Sequence, residues 1–145
     1  MADMNFLAIM FCAGIAVALQ PSINSRLALR VGVLESACIS FAVGTVALLT
    51  VVLLTGRGTI KGLAASSWWE LTGGVLGAIF VSATIFVVPR IGTTATMAAT
   101  IAAQLMTGAV LDHFGAFGIR VIHFDLKRAL GCALLAAGVF LIGKQ

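Results

Sequence analysis

Five long stretches of this 145-residue chain carry no side chain that is charged at neutral pH: Met4–Ser25, Ser36–Gly56, Leu71–Pro89, Ile91–Leu111 and Ala129–Gly143. A hydrocarbon layer about 30 Å thick is crossed by roughly 20 residues of helix. Five crossings use up the chain and leave no soluble domain of useful size. Backbone in contact with lipid must satisfy its own hydrogen bonds, so stretches of this length read as helices; barrel strands are shorter and alternate apolar with polar residues. The expectation is an all-α integral membrane protein with five transmembrane helices at about 4–29, 34–56, 68–89, 91–112 and 126–144, forming a single membrane domain over 1–145.

Composition excludes the soluble alternatives. With 61% hydrophobic and 10% charged residues, and a mean hydropathy of +1.14, a water-exposed domain would precipitate before it folded. The Ala16-Val17-Ala18 run imitates a signal-peptide cleavage site, but only Asp3 precedes Phe6 and a signal peptide needs a basic start. The first stretch is therefore expected to stay as a permanent span. The net charge of +4 falls on short connections, where it meets anionic headgroups and sets orientation. Membrane lipid is thus an expected partner and nucleic acid is not. Cys12, Cys38 and Cys132 lie inside the apolar stretches without paired spacing or a neighbouring histidine, which points to packing; no disulfide, metal or cofactor is expected.

The connections are Arg26–Glu35, Arg57–Glu70, a tight corner at Pro89-Arg90, and Asp112–Arg128, none long enough to fold alone. No internal repeat is visible. The last apolar stretch spans roughly 22 Å at 1.5 Å per residue, so Lys127, Arg128 and Lys144 must snorkel for it to cross. Trp68, Trp69, Phe114, Phe117 and Phe124 fall at headgroup level, where aromatic rings are favoured. With five crossings, Arg57, Lys61, Arg120, Lys127 and Arg128 lie on the N-terminal side, against Arg26, Arg30, Arg90 and Lys144 on the other. An excess of one cation scarcely fixes orientation. Either the chain is weakly N-in, or it inserts both ways and pairs with an opposite copy or paralogue. Such an antiparallel dimer has the inverted symmetry that carriers use for alternating access.

Several polar groups sit within the apolar stretches. Pro21 removes a backbone donor and should kink the first helix near Gln20. Asn24 follows one turn later on the same face, so Gln20 and Asn24 are candidates for a polar site or for structural bonds between helices. Gly73-Gly74-x-x-Gly77 permits close helix packing. Thr93, Thr96, Thr100, Gln104 and Thr107 form a stripe at three- and four-residue steps. They either line a passage or bond back to their own helix. Asp112-His113 ends this stretch in a position for interface solvation or for a proton or gating role; neighbours about 100° apart do not share a metal. Glu35 and Glu70 open helices, where acids favour the positive end. No catalytic triad or carboxylate pair lies at bilayer depth, so an enzyme is not expected.

Taken in order, Gln20-Pro21-x-x-Asn24-x-x-Leu27, Ser40-Phe41-Ala42-Val43-Gly44-Thr45, Trp68-Trp69 before Gly73-Gly74-x-x-Gly77, Val88-Pro89-Arg90-Ile91-Gly92, and Gln104-Leu105 before Asp112-His113-Phe114-Gly115 resemble the YdcZ-like family. That family is a five-helix branch of the drug/metabolite transporter superfamily. The closing Gly131-x-x-Leu134-Leu135-x-x-Gly138-Val139 is also similar to the dimerising last helix of small multidrug resistance exporters. The resemblance implies a bacterial inner-membrane protein working as a dual-topology homodimer, an opposed pair or a fused ten-helix chain, with no substrate specified. Where the small exporters place a proton-binding glutamate in their first helix, this chain has Gln20, and an amide does not exchange a proton at physiological pH. The function expected is a transporter subunit moving a small organic solute by alternating access. Gln20, Asn24, Trp69, Thr96, Thr100 and Gln104 are the substrate or pathway candidates, and Asp112, His113 and Glu35 the coupling or gating candidates. A dual-topology passive channel and a non-transporting accessory subunit are the alternatives.

Overall fold

A computed structural model describes residues 2–56 and 58–143. Arg57 and Lys144, two of the cations in the orientation count, lie outside the described residues. Among the described residues the structure is helical without strands: α1 (Ala2–Val31), α2 (Val33–Thr55), α3 (Gly73–Phe114) and α4 (Leu126–Gly143), with short 3-10 turns at Ile60–Ala65, Trp68–Thr72 and Ala116–Gly118. Four helices are long and apolar enough to cross a membrane, the third counted from Trp68 to Phe114. The third and fourth apolar stretches, expected as separate helices, follow one another in α3, which leaves helical dihedrals at Gly92. The chain groups into two compact units, Met1–Arg90 and Ile91–Gln145.

In the first unit, α1 passes into α2 through Gly32 alone. Its φ of 103° is a conformation open to glycine and strained for L residues. Gly32 is bonded on both sides, its N–H donating to Ala28 O at 2.9 Å and its carbonyl accepting from Ser36 N–H at 3.0 Å. The Glu35 carboxylate folds over Gly32 at the start of α2. The core is small: Ala37, Val81 and Ile85, flanked by Ala28, Val33 and Phe80. By contrast, Phe11 is 72% exposed and Leu54 81%. Apolar side chains this bare need a hydrocarbon solvent, because in water each would forfeit about 1.5–3 kcal/mol of burial. Gly77 makes the close approach expected of it, since a Cβ there would lie 3.2 Å from Phe41 Cζ; Gly73 and Gly74 face open space.

Proline does not break either long helix at its own position. Helix α1 runs through Pro21, which is fully buried. Pro89 and Arg90 keep the helical path, and the dihedrals leave it at Gly92, with φ 81° and ψ 162°. The expected corner therefore lies further along the chain, because proline tolerates helical φ whereas glycine alone readily adopts this one. Pro89 has no N–H for the carbonyl four residues back, that of Ile85. Ser25 of α1 supplies the missing donor, its Oγ donating to Ile85 O at 3.2 Å.

In the second unit, the connection from α3 to α4 turns through three positive φ values, Gly115 at 60°, Phe117 at 59° and Gly118 at 76°. A Cβ at Gly115 would lie 2.6 Å from Val121 Cγ2. Asp112 O anchors the returning chain, accepting from Gly115 N–H at 3.3 Å and Ile122 N–H at 2.9 Å. Asp125 then caps α4, its Oδ1 accepting from Arg128 N–H at 2.9 Å. The 18 residues of α4 rise about 27 Å, close to the hydrocarbon thickness, with Lys127 and Arg128 in the first turn.

Candidate functional site

Polar groups in an apolar helix must pair or face a cavity, and the described residues do both. In the first unit, Asn24 is 6% exposed. Its Nδ2 donates to Ser40 Oγ at 3.1 Å, and its main-chain oxygen accepts from Ser36 Oγ at 2.8 Å. Asn24 thus ties α1 to α2. One turn earlier, the half-buried Gln20 has no hydrogen-bond partner among the described residues. Its side chain opens on a cavity of about 220 Å³ walled by Ser40, Phe41, Gly44, Thr45 and Leu48. Gln20 and Ser40 both line this cavity; Asn24 does not, and reaches it only through its bond to Ser40.

In the second unit, the threonine stripe divides. Thr96 donates to Gly92 O at 2.7 Å and Thr100 to Thr96 O at 2.9 Å, so both hydroxyl protons return to their own helix. Gln104 differs in having no partner among the described residues. It opens on a cavity of about 340 Å³ that also takes in Leu105, Gly108, Asp112, Arg128 and Leu135. Across it, Arg128 Nη1 meets Asp112 Oδ2 at 2.9 Å. The sequence assigns Arg128 only a snorkelling role; its pairing with Asp112, 16 residues away, is not visible from spacing because the glycine-rich connection brings the two together.

His113 faces elsewhere, as adjacent helical positions must. Its Nδ1 accepts the backbone N–H of Phe124 at 3.1 Å, and its ring lies 5.8 Å from that of His123. It borders a second, apolar cavity of about 460 Å³ with Met106, Val110, Phe114 and Phe124. Ala109 and Cys132 wall both cavities. No group of three or more metal-ligating side chains occurs among the described residues. Trp69, in the 3-10 turn before α3, lines neither the Gln20 nor the Gln104 cavity. Glu35 lies at the α1–α2 turn, and Glu70 accepts the Ser67 N–H at 2.6 Å, as an acid at a helix start does.

The family described as "Putative inner membrane exporter, YdcZ" matches residues 5–141. Inner membrane protein YdcZ of Escherichia coli (strain K12) is 28% identical over 149 aligned residues, which cover 96% of this chain and 95% of that protein. No solved structure matches the chain. Together with four apolar spanning helices, these matches establish a multi-pass inner membrane protein. With residues 5–141 matched, the chain belongs to the family described as "Putative inner membrane exporter, YdcZ".

Proposed function

We propose that this protein is a transporter subunit that moves a small organic solute across the inner membrane by alternating access, two copies lying in opposite orientations. The observation that carries the reading is Gln104: an amide without a protein partner among the described residues, inside the apolar stretch Ile91–Leu111, opening on a cavity of about 340 Å³. An unpaired amide at that depth is costly unless something passes that can bond to it. Gln20 repeats the arrangement in the other unit, with Ser40, bonded by Asn24, in its wall.

The length of α3 supports a fifth crossing. Its 42 residues would extend about 63 Å if unbroken, twice the hydrocarbon thickness, and the break at Gly92 falls near the middle. Counted as two spans, the chain crosses five times and its cations divide five against four. That near-balance supports insertion both ways, and hence an antiparallel homodimer or a pairing with an opposed paralogue. In this scheme Gln20, Asn24, Gln104 and the stripe of Thr96 and Thr100 face the solute. Trp69 meets it at the membrane surface, and Asp112, His113 and Glu35 sit at helix ends where opening is controlled.

The test is saturable flux from proteoliposomes against a metabolite panel, comparing the protein with Gln104→Leu. Loss of flux in a folded variant is the expected result. Unchanged flux of every transported solute removes Gln104 from the route, and single-channel currents would replace the carrier with a pore.

A further inference from the structure

The Asp112–Arg128 pair closes no gap in the core. Both side chains stay about one-third exposed, Arg128 at 33% and Asp112 at 32%, and both face the cavity that Gln104 enters. Both charged groups are therefore reachable from that cavity. The guanidinium has five N–H donors, of which the Asp112 contact uses Nη1. On the other side of Ala109 and Cys132 lies the larger cavity walled by Val110, Phe114 and Phe124. Apart from His113, its lining is apolar and suits a hydrocarbon or aromatic group. Each cavity falls within the size range of small-molecule sites, about 300–1,000 Å³.

We infer that this pair and its two cavities form a binding site for a zwitterion bearing an apolar group. The ligand's ammonium takes the Asp112 carboxylate, its oxyanion takes the Arg128 fork, Gln104 bonds to either end, and the apolar part enters the cavity beside Phe114 and Phe124. Charge selects the ligand class. The site is neutral overall, so a zwitterion exchanges one ion pair for two and leaves no charge uncompensated in a low-dielectric pocket. A lone anion or cation frees the opposite side chain and strands it, which is the costly outcome. The same head chemistry occurs in an ethanolamine phospholipid and in a free amino acid with an apolar side chain. The inference deepens the transporter reading and relies on it for the site's purpose, although binding is measured here without flux.

Cys132 walls both cavities and reports on them. In a Cys12→Ser, Cys38→Ser background, the purified protein is alkylated with a maleimide in detergent, with or without a short-chain phosphatidylethanolamine, phenylalanine, a short-chain phosphatidylglycerol or tetraphenylphosphonium. At about ten times the dissociation constant, occupancy of nine-tenths of the sites slows alkylation about 10-fold. Protection by phosphatidylethanolamine alone supports the site with a lipid source. Protection by phenylalanine alone supports it with a soluble source, and protection by both supports the shared chemistry. The double variant Asp112→Asn/Arg128→Gln is expected to lose protection. If it does not fold, Arg128→Lys, which keeps the charge but loses the planar fork, is expected to weaken protection several-fold. Equal protection by phosphatidylglycerol or by the phosphonium overturns the inference, as does no protection by either zwitterion. Protection without flux of any zwitterion leaves the site standing and counts against the transporter reading.

Discussion

Replacing Ser25 with alanine isolates the bond that compensates for Pro89. Ile85 is 1% exposed, and its carbonyl is the one whose helical donor Pro89 removes; the Ser25 hydroxyl donates to it at 3.2 Å. Leaving a buried acceptor unpaired costs about 1–3 kcal/mol in soluble proteins. In membrane proteins, measured side-chain bonds average about 0.6 and reach about 1.7 kcal/mol. We take about 1 kcal/mol for Ser25→Ala, roughly a 5-fold shift in the folding equilibrium. The same substitution in a Pro89→Ala background should cost within ~0.3 kcal/mol of nothing, because an alanine in place of Pro89 restores the N–H that Ile85 O lacks. Reversible unfolding of the purified protein in mixed detergent and SDS micelles, followed by circular dichroism, gives all four corners of this cycle. A Ser25→Ala cost that is the same in both backgrounds would refute the reasoning, since the hydroxyl would then be acting on something other than the proline-freed carbonyl.

Other predictions follow from single contacts. Asn24→Ala removes the amide that bonds to Ser40 and should destabilise the protein by about 1–3 kcal/mol in the same unfolding assay; a neutral effect would exclude Asn24 as a tie between α1 and α2. Gly77→Leu places a side chain where Cβ already comes within 3.2 Å of Phe41 Cζ, and should cost about 1–3 kcal/mol, with partial rescue by Phe41→Ala; no rescue would move the clash elsewhere. Gly115→Ala meets both a positive φ and Val121, so adding Val121→Ala should recover the steric part of the lost thermal stability and leave the backbone part. Gln104→Leu, by contrast, should leave stability within about 0.5 kcal/mol while abolishing flux, and the reverse pattern would make Gln104 structural.

The apolar runs made the helices legible because lipid imposes one backbone solution, and α1, α2 and α4 end within a few residues of the expected limits. The chain break was harder to place. Pro89-Arg90 is the more obvious interruption, yet proline is compatible with helical φ and only Gly92 supplies the non-helical one. The role of Ser25 was hidden for a related reason: a hydroxyl on one helix repairs a carbonyl on another, 60 residues away, and no local pattern encodes that. Gln20, Asn24 and Gln104 stood out as amides in apolar surroundings, but whether each pairs or stays open depends on the neighbouring helix. Asn24 finds Ser40, while Gln20 and Gln104 find cavities. The threonine stripe read as one surface, yet Thr96 and Thr100 turn their protons back to their own carbonyls, a choice set by backbone geometry and not by spacing.

The orientation of Lys61, an exposed residue in the connection between α2 and α3, tests the opposed pairing most directly. With Lys61→Cys in a background free of other cysteines, a membrane-impermeant maleimide is applied to intact cells and again after permeabilisation. Two populations are predicted, with a substantial fraction labelled from outside and the remainder only after the membrane is opened. Labelling that is complete from one side and absent from the other would contradict an antiparallel assembly of identical chains.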